Sequence, residues 1–232
     1  MATAEPKDIR EIQRQRRSAE HRYAWRLSDR EHAEKVRAGL SLRLLGELVG
    51  QGAIRPGASE GDVMRALEGT RLQGVDGLMV ALKAVETWGA DFRPEDVAAL
   101  ERELQSADSG VESGDSPWIS QGVDALLRGD VWGYLAPGRP SVAAELAWRH
   151  LSSFHEGSRL YAGMFAAACV SVAFVADDLL EAVYVGLGEV PDESRLSRAV
   201  SAALKVHRTS GGWIEAKERL GLEAETSNWD YP

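Results

Sequence analysis

Cysteine is almost absent: the 232-residue chain has one, Cys169. A single thiol cannot close a disulfide within the chain or assemble a metal cluster, so a reducing, cytoplasmic setting is the simplest expectation. Cys169 lies inside AAACVSVAF, whereas a catalytic thiol needs polar, electropositive surroundings. It is read as a core residue. Long hydrophobic runs are also missing. The longest, Leu160 to Ala176, contains Gly163 and Ser171 and stops at Asp177-Asp178. It falls short of the roughly 20 residues a membrane span requires, which predicts a buried helix and no membrane partner. The N-terminus lacks an apolar stretch of signal-peptide type. There is no glycine-rich phosphate loop, no Gly-x-Ser-x-Gly elbow and no Cys/His metal spacing.

What the chain does have is charge and helix-forming sequence. Its formal net charge is -9, which favours solubility and makes nucleic acid an unexpected partner. The charge is uneven: between Lys7 and Arg37 ten basic residues face six acidic ones, a local +4. Residues 7 to 37 lack Gly and Pro and are rich in good helix formers. Their apolar positions, Ile9, Ile12, Tyr23 and Leu27, are sparse. Residues 1–30 are therefore expected to form a basic, solvated helical arm lightly docked on a body of residues 31–232.

Within that body, Val36, Leu40, Leu44, Leu45 and Leu48 recur at helical spacing, predicting a helix over Glu31–Val49. Ser59 is expected to start a short helix. Residues 106–117, SADSGVESGDSP, read as an acidic flexible linker. Further helices are expected near Ile119–Arg128, Ser141–Ser153, Leu160–Ala176, Asp177–Leu187, Ser194–His207 and Trp213–Leu220, with Gly221 as a C-terminal cap. Asp177-Asp178 could suggest acid–base work, but between two apolar helices a cap and a first-turn charge explain them better. Strand signals are nearly absent, so the expected fold is an all-α, globular multi-helix bundle.

Several pieces fall in a recognisable order. They are WGY-x-x-PG at Trp132 to Gly138, AAELAWR at Ala143 to Arg149, and His155 followed by Tyr161. The apolar helix ending in Asp177-Asp178 and the turn Pro191 to Leu196 come next. In this order they resemble the central region of the ADP-ribosylglycohydrolase family, which cleaves the bond between ADP-ribose and an acceptor. The resemblance runs from about Ser28 onward and is strongest after Arg128. It implies an all-helical fold and, in active members, two magnesium ions held by hydroxyl and carboxylate oxygens, as a hard cation requires.

The catalytic segments depart from that pattern. Glu47, in Gly46-Glu47-Leu48-Val49-Gly50, stands where the resemblance implies an aspartate; it also reads as a polar position on an amphipathic helix. At the expected Asp-rich turn the chain has Leu72-Gln73-Gly74-Val75, with Asp76 just beyond. The C-terminal Asp-x-Asp ligands have no counterpart. Glu47 and Asp76 are thus the surviving catalytic candidates, and no metal set is complete. Magnesium is expected only if another chain completes the site.

The resemblance places His155, Arg159 and Tyr161 in the cleft facing ADP-ribose. Arg159 could donate to a diphosphate or stand exposed in a salt bridge. Trp132 and Tyr134 could stack on an adenine or pack the WGY segment onto the bundle, the simpler role. His150 and His155, five apart, make a poor metal pair.

The leading expectation is a non-catalytic ADP-ribosylglycohydrolase-like protein binding an ADP-ribose-like molecule or a protein partner, or forming a homodimer through exposed apolar surface. The alternative is a divergent glycohydrolase cleaving an ADP-ribosyl or ribosyl linkage. A third is regulation through the basic arm.

Overall fold

The computed structural model describes residues 5–16, 27–50, 52–55, 57–69, 83, 98–100, 102–103, 123–153 and 155–226. Asp76, the turn at 72–75 and the linker at 106–117 lie outside them. The described residues form α-helices and no strand. The expected all-α class therefore holds.

The helices are α1 (Ile9–Gln15), α2 (Asp29–Gly50), α3 (Glu60–Gly69), α4 (Val123–Leu135), α5 (Pro140–Leu151), α6 (Gly157–Ala173), α7 (Leu179–Gly188), α8 (Arg195–Thr209) and α9 (Trp213–Thr226). The core of the bundle is α6, which packs against α4, α5 and α7. No described helix is long and apolar enough to cross a membrane. The apolar run in α6 is instead absorbed by these neighbours.

Side-chain size explains why α4 and α6 approach so closely. A Cβ on Gly129 would stand 2.5 Å from the Gly163 Cα, and one on Gly133 would stand 2.5 Å from the Ala167 carbonyl oxygen. Gly129 and Gly133 are four apart on α4, as are Gly163 and Ala167 on α6, so each pair forms one ridge of a helix. The backbones meet where larger residues would hold them apart. On the other side of α6, Cys169 faces α7: a Cβ on Gly186 would come 2.5 Å from its Sγ. Burial pushes that thiol up to about 12, so it remains a neutral core group.

Local start signals explain most helix ends. Ser28 and Glu31 form a reciprocal capping box on α2, with the Ser28 N–H donating to the Glu31 carboxylate at 3.0 Å. Ser59 and Asp62 do the same for α3. Asp178 caps α7, accepting from the Leu180 N–H at 2.9 Å, and Ser194 caps α8, accepting from the Ser197 N–H at 3.1 Å. Asp177-Asp178 is therefore a helix start. Asp178→Ala is expected to cost about 1 kcal/mol, read as a lower thermal midpoint with unchanged helical circular dichroism.

Three boundaries differ from expectation. The helix expected to end near Arg128 continues to Leu135, which puts Trp132-Gly133-Tyr134 inside α4. Gly221 caps nothing, since α9 continues to Thr226. The N-terminal arm is not one solvated helix: it leaves the helical conformation at Arg16, at φ -80° and ψ 156°. Its Ile12 is fully buried in the main core. Helix-forming composition reports local preference alone, whereas here tertiary contacts with the body decide the path.

Candidate functional site

The aromatic candidates belong to the interior. Trp132 is fully buried, and its indole N–H donates to His150 Nδ1 at 3.2 Å. The two rings meet edge to face at 5.8 Å. Tyr134, two residues on, points to a different neighbour. It packs edge to face on Phe174 at 5.9 Å and fills the space beside Gly39 on α2. Burial pushes its phenol up to about 12, helped by the Asp130 carboxylate. Adenine stacking needs an open ring face, and neither ring offers one; packing is their role.

Tyr161 is fully buried too, on α6, and its hydroxyl donates to the Pro6 carbonyl. Burial, with the Glu5 and Glu11 carboxylates nearby, holds this phenol well above its ordinary range. His155 is buried in the loop before α6, and its backbone N–H donates to the Leu151 carbonyl at 2.8 Å. Arg159 is exposed. Glu47 is half-buried on α2. It lies eight residues beyond Gly39, the glycine against Tyr134, which is roughly 12 Å along the helix. The described candidates therefore do not converge on one open cleft. Among the described residues no group of three His, Cys, Asp or Glu side chains is placed to hold a metal ion.

Residues 5–16, which the sequence had suggested as solvated, gather on the face that carries Ser158 and Tyr161. The Ser158 hydroxyl donates to the Glu5 carboxylate at 2.8 Å, and the Arg195 N–H, at the start of α8, donates to Glu5 Oε1 at 2.8 Å. Gly157, at φ 56°, is in the left-handed region, and a Cβ there would stand 2.9 Å from Glu5 Oε2. The Trp148 indole N–H donates to the Lys7 carbonyl at 2.9 Å. Further along, Arg16 pairs with the buried Glu189, whose other oxygen accepts from the Ser141 hydroxyl at 2.7 Å. The Asp192 N–H donates to the Gln15 carbonyl at 3.1 Å. The contacts that residues 5–16 make here with the rest of the chain join positions 141 to 190 apart. No periodicity or short motif could have announced them.

A second polar cluster escaped the sequence reading. Arg43 on α2 pairs with Asp130 on α4 at 3.1 Å, and its guanidinium also donates to the Leu127 carbonyl at 2.9 Å. Both side chains are almost wholly buried, and Asp130 Oδ1 has no hydrogen-bond donor among the described residues. Burial pushes the Asp130 carboxyl up to about 7, against the pull of Arg43. Towards the start of α2, His32 is buried, its Nε2–H donating to the Tyr134 carbonyl at 2.6 Å. Desolvation lowers its pKa, which favours the neutral ring.

A hollow of about 610 Å³ lies elsewhere, at the end of α2, lined by Ile54, Arg55, Asp62 and Arg65 among others. It includes none of the candidate residues. On α7 and α9, Leu179, Trp213 and Ile214 are exposed.

Fold and face together define an all-α protein with an N-terminal segment bound across one side of its bundle. No family model matches the chain, and neither a curated protein nor a solved structure does.

Proposed function

We propose that this is an ADP-ribosylglycohydrolase-like helical protein that works by binding and performs no glycosidic hydrolysis, with a protein segment as its ligand. The observation that carries the reading is the engagement of residues 5–7 by the face around Ser158 and Tyr161. Two side-chain donors, Tyr161 and Trp148, meet the carbonyls of Pro6 and Lys7, while Ser158 and the Arg195 N–H hold the Glu5 carboxylate. Donors spaced along a backbone are the chemistry of peptide recognition. The aromatic rings that would stack on a nucleotide are used within the core. The sequence at 72–75 also supports the loss of hydrolysis, since Leu, Gly and Val side chains give a magnesium ion no oxygen.

Calorimetric titration with ADP-ribose, with and without magnesium, tests this. The expected result is no heat of binding in either condition, and, in a parallel assay, no ADP-ribose released from an ADP-ribosylated acceptor. Magnesium-independent binding would restore the nucleotide as the ligand. Magnesium-dependent binding, with release of ADP-ribose from an ADP-ribosylated acceptor, would overturn the reading in favour of a divergent glycohydrolase using Glu47 and Asp76.

A further inference from the structure

We propose that the face formed by α5, α6 and the start of α8 is a peptide-docking groove, closed in cis by residues 5–16 and opened when a partner's segment of the same chemistry displaces them. This deepens the reading above by naming the partner's chemistry. It rests on that reading only in taking this face as the binding surface.

The occupant is defined along its length. At one end a carboxylate is held by a hydroxyl and a helix-terminal N–H, in a notch that Gly157 keeps open. Next come two backbone carbonyls, accepting from Tyr161 and Trp148. Bonds to carbonyls do not depend on which side chain the occupant carries. A short helix follows, started by Asp8, whose carboxylate accepts from the Arg10 N–H at 2.9 Å, and it sinks Ile12 into the core. At the far end a guanidinium meets the buried Glu189 carboxylate. A fitting partner thus carries an extended stretch that opens on a carboxylate, then an amphipathic turn with one buried aliphatic side chain, then a base.

Displacement is physically reasonable because the occupant cannot hold its own shape. A seven-residue helix lies far below the length that persists alone in water, so α1 owes its form to the groove. Apart from Ile12 and the half-buried Ile9, the contacts described above are polar, and a competing segment can replace each of them.

The test uses the full chain with a specific protease site placed between residues 17 and 26, cleaved after folding. A fluorescently labelled peptide of residues 1–16 is then added, and its anisotropy and co-elution with the body are followed over a day. The expected result is exchange of the labelled peptide into a body that stays helical. A Glu5→Gln peptide should compete about tenfold less well, since it loses a charge-assisted pair, and a Tyr161→Phe body should bind the parent peptide several-fold less tightly. The proposal is overturned if the cleaved segment never exchanges, or if the body unfolds when it leaves; either would make residues 5–16 a fixed part of the fold. Equal competition by the Glu5→Gln peptide would remove the carboxylate from the recognition. The ADP-ribose titration has no bearing on this exchange, so the two proposals fail separately.

Discussion

Gly163→Val is expected to destabilise the bundle by at least about 3 kcal/mol, the upper part of the range for overpacked cores. A Cβ at Gly163 would overlap Leu151 Cδ1 and stand 2.8 Å from the Ala125 carbonyl oxygen. Leu151 could shift, but Ala125 contributes helix backbone, which cannot yield without moving α4. Valine adds a stiff χ1 that limits escape. Folding stabilities are typically about 5–15 kcal/mol, so such a loss should appear as a much lower urea midpoint or no cooperative transition. Gly46→Ala is the internal control. Gly46 is also within a helix, but a Cβ there meets nothing within 4 Å. Alanine should gain roughly 0.5–1 kcal/mol by helix propensity. If both substitutions shifted stability in the same direction, close packing at the α4–α6 crossing would not be the reason for its glycines.

Arg43→Met is the second substitution with a large expected effect, up to about 3–5 kcal/mol at pH 8, where the buried Asp130 group must either carry its charge without a cation or take up a proton. The pair also gives stability a pH dependence whose sign follows from burial. Asp130 has a folded pKa of about 7, above its ordinary 3.8. Between these values the unfolded chain releases this proton before the folded chain does. The contribution is therefore fully present below about pH 4 and is lost as pH rises through 7. Asp130→Asn should flatten this part of the profile, while Arg43→Met, removing the attraction that opposes the shift, should extend the decline to higher pH. Urea unfolding of the three proteins at pH 5 and pH 8 measures it. A parent profile flat over this range would show that Asp130 stays ionised in the fold.

What the sequence revealed and what it hid divide along contact distance. Ser59 with Asp62, and Asp178, act within one helical turn and mark helix starts in the sequence; Ser28 with Glu31 is as local, but helix-forming composition on both sides masks it. The apolar spacing of Val36, Leu40 and Leu48 likewise marks one face of α2. Trp132 and Tyr134 were legible as packing residues, although the helix containing them was expected to end sooner. The route of residues 5–16 was hidden, because the partners of Glu5, Lys7 and Arg16 come from the second half of the chain. Arg43 and Asp130 were hidden for a related reason. A charged residue on a helix reads as solvent-facing until a partner 87 positions away is brought beside it. Tyr161 was singled out for an expected cleft, and the structure places it beneath residues 5–7.

The long sequence reach of the N-terminal segment also has a consequence in time. Glu5 leaves the ribosome early, but Arg195, whose N–H it accepts, is made 190 positions later. At synthesis rates of about 5–20 residues per second, that interval is roughly 10–40 seconds. Within it the partners arrive in order: Trp148, then Ser158 and Tyr161, then Glu189, and last Arg195. The segment is therefore tied down in steps, and its full set of contacts waits for the start of α8.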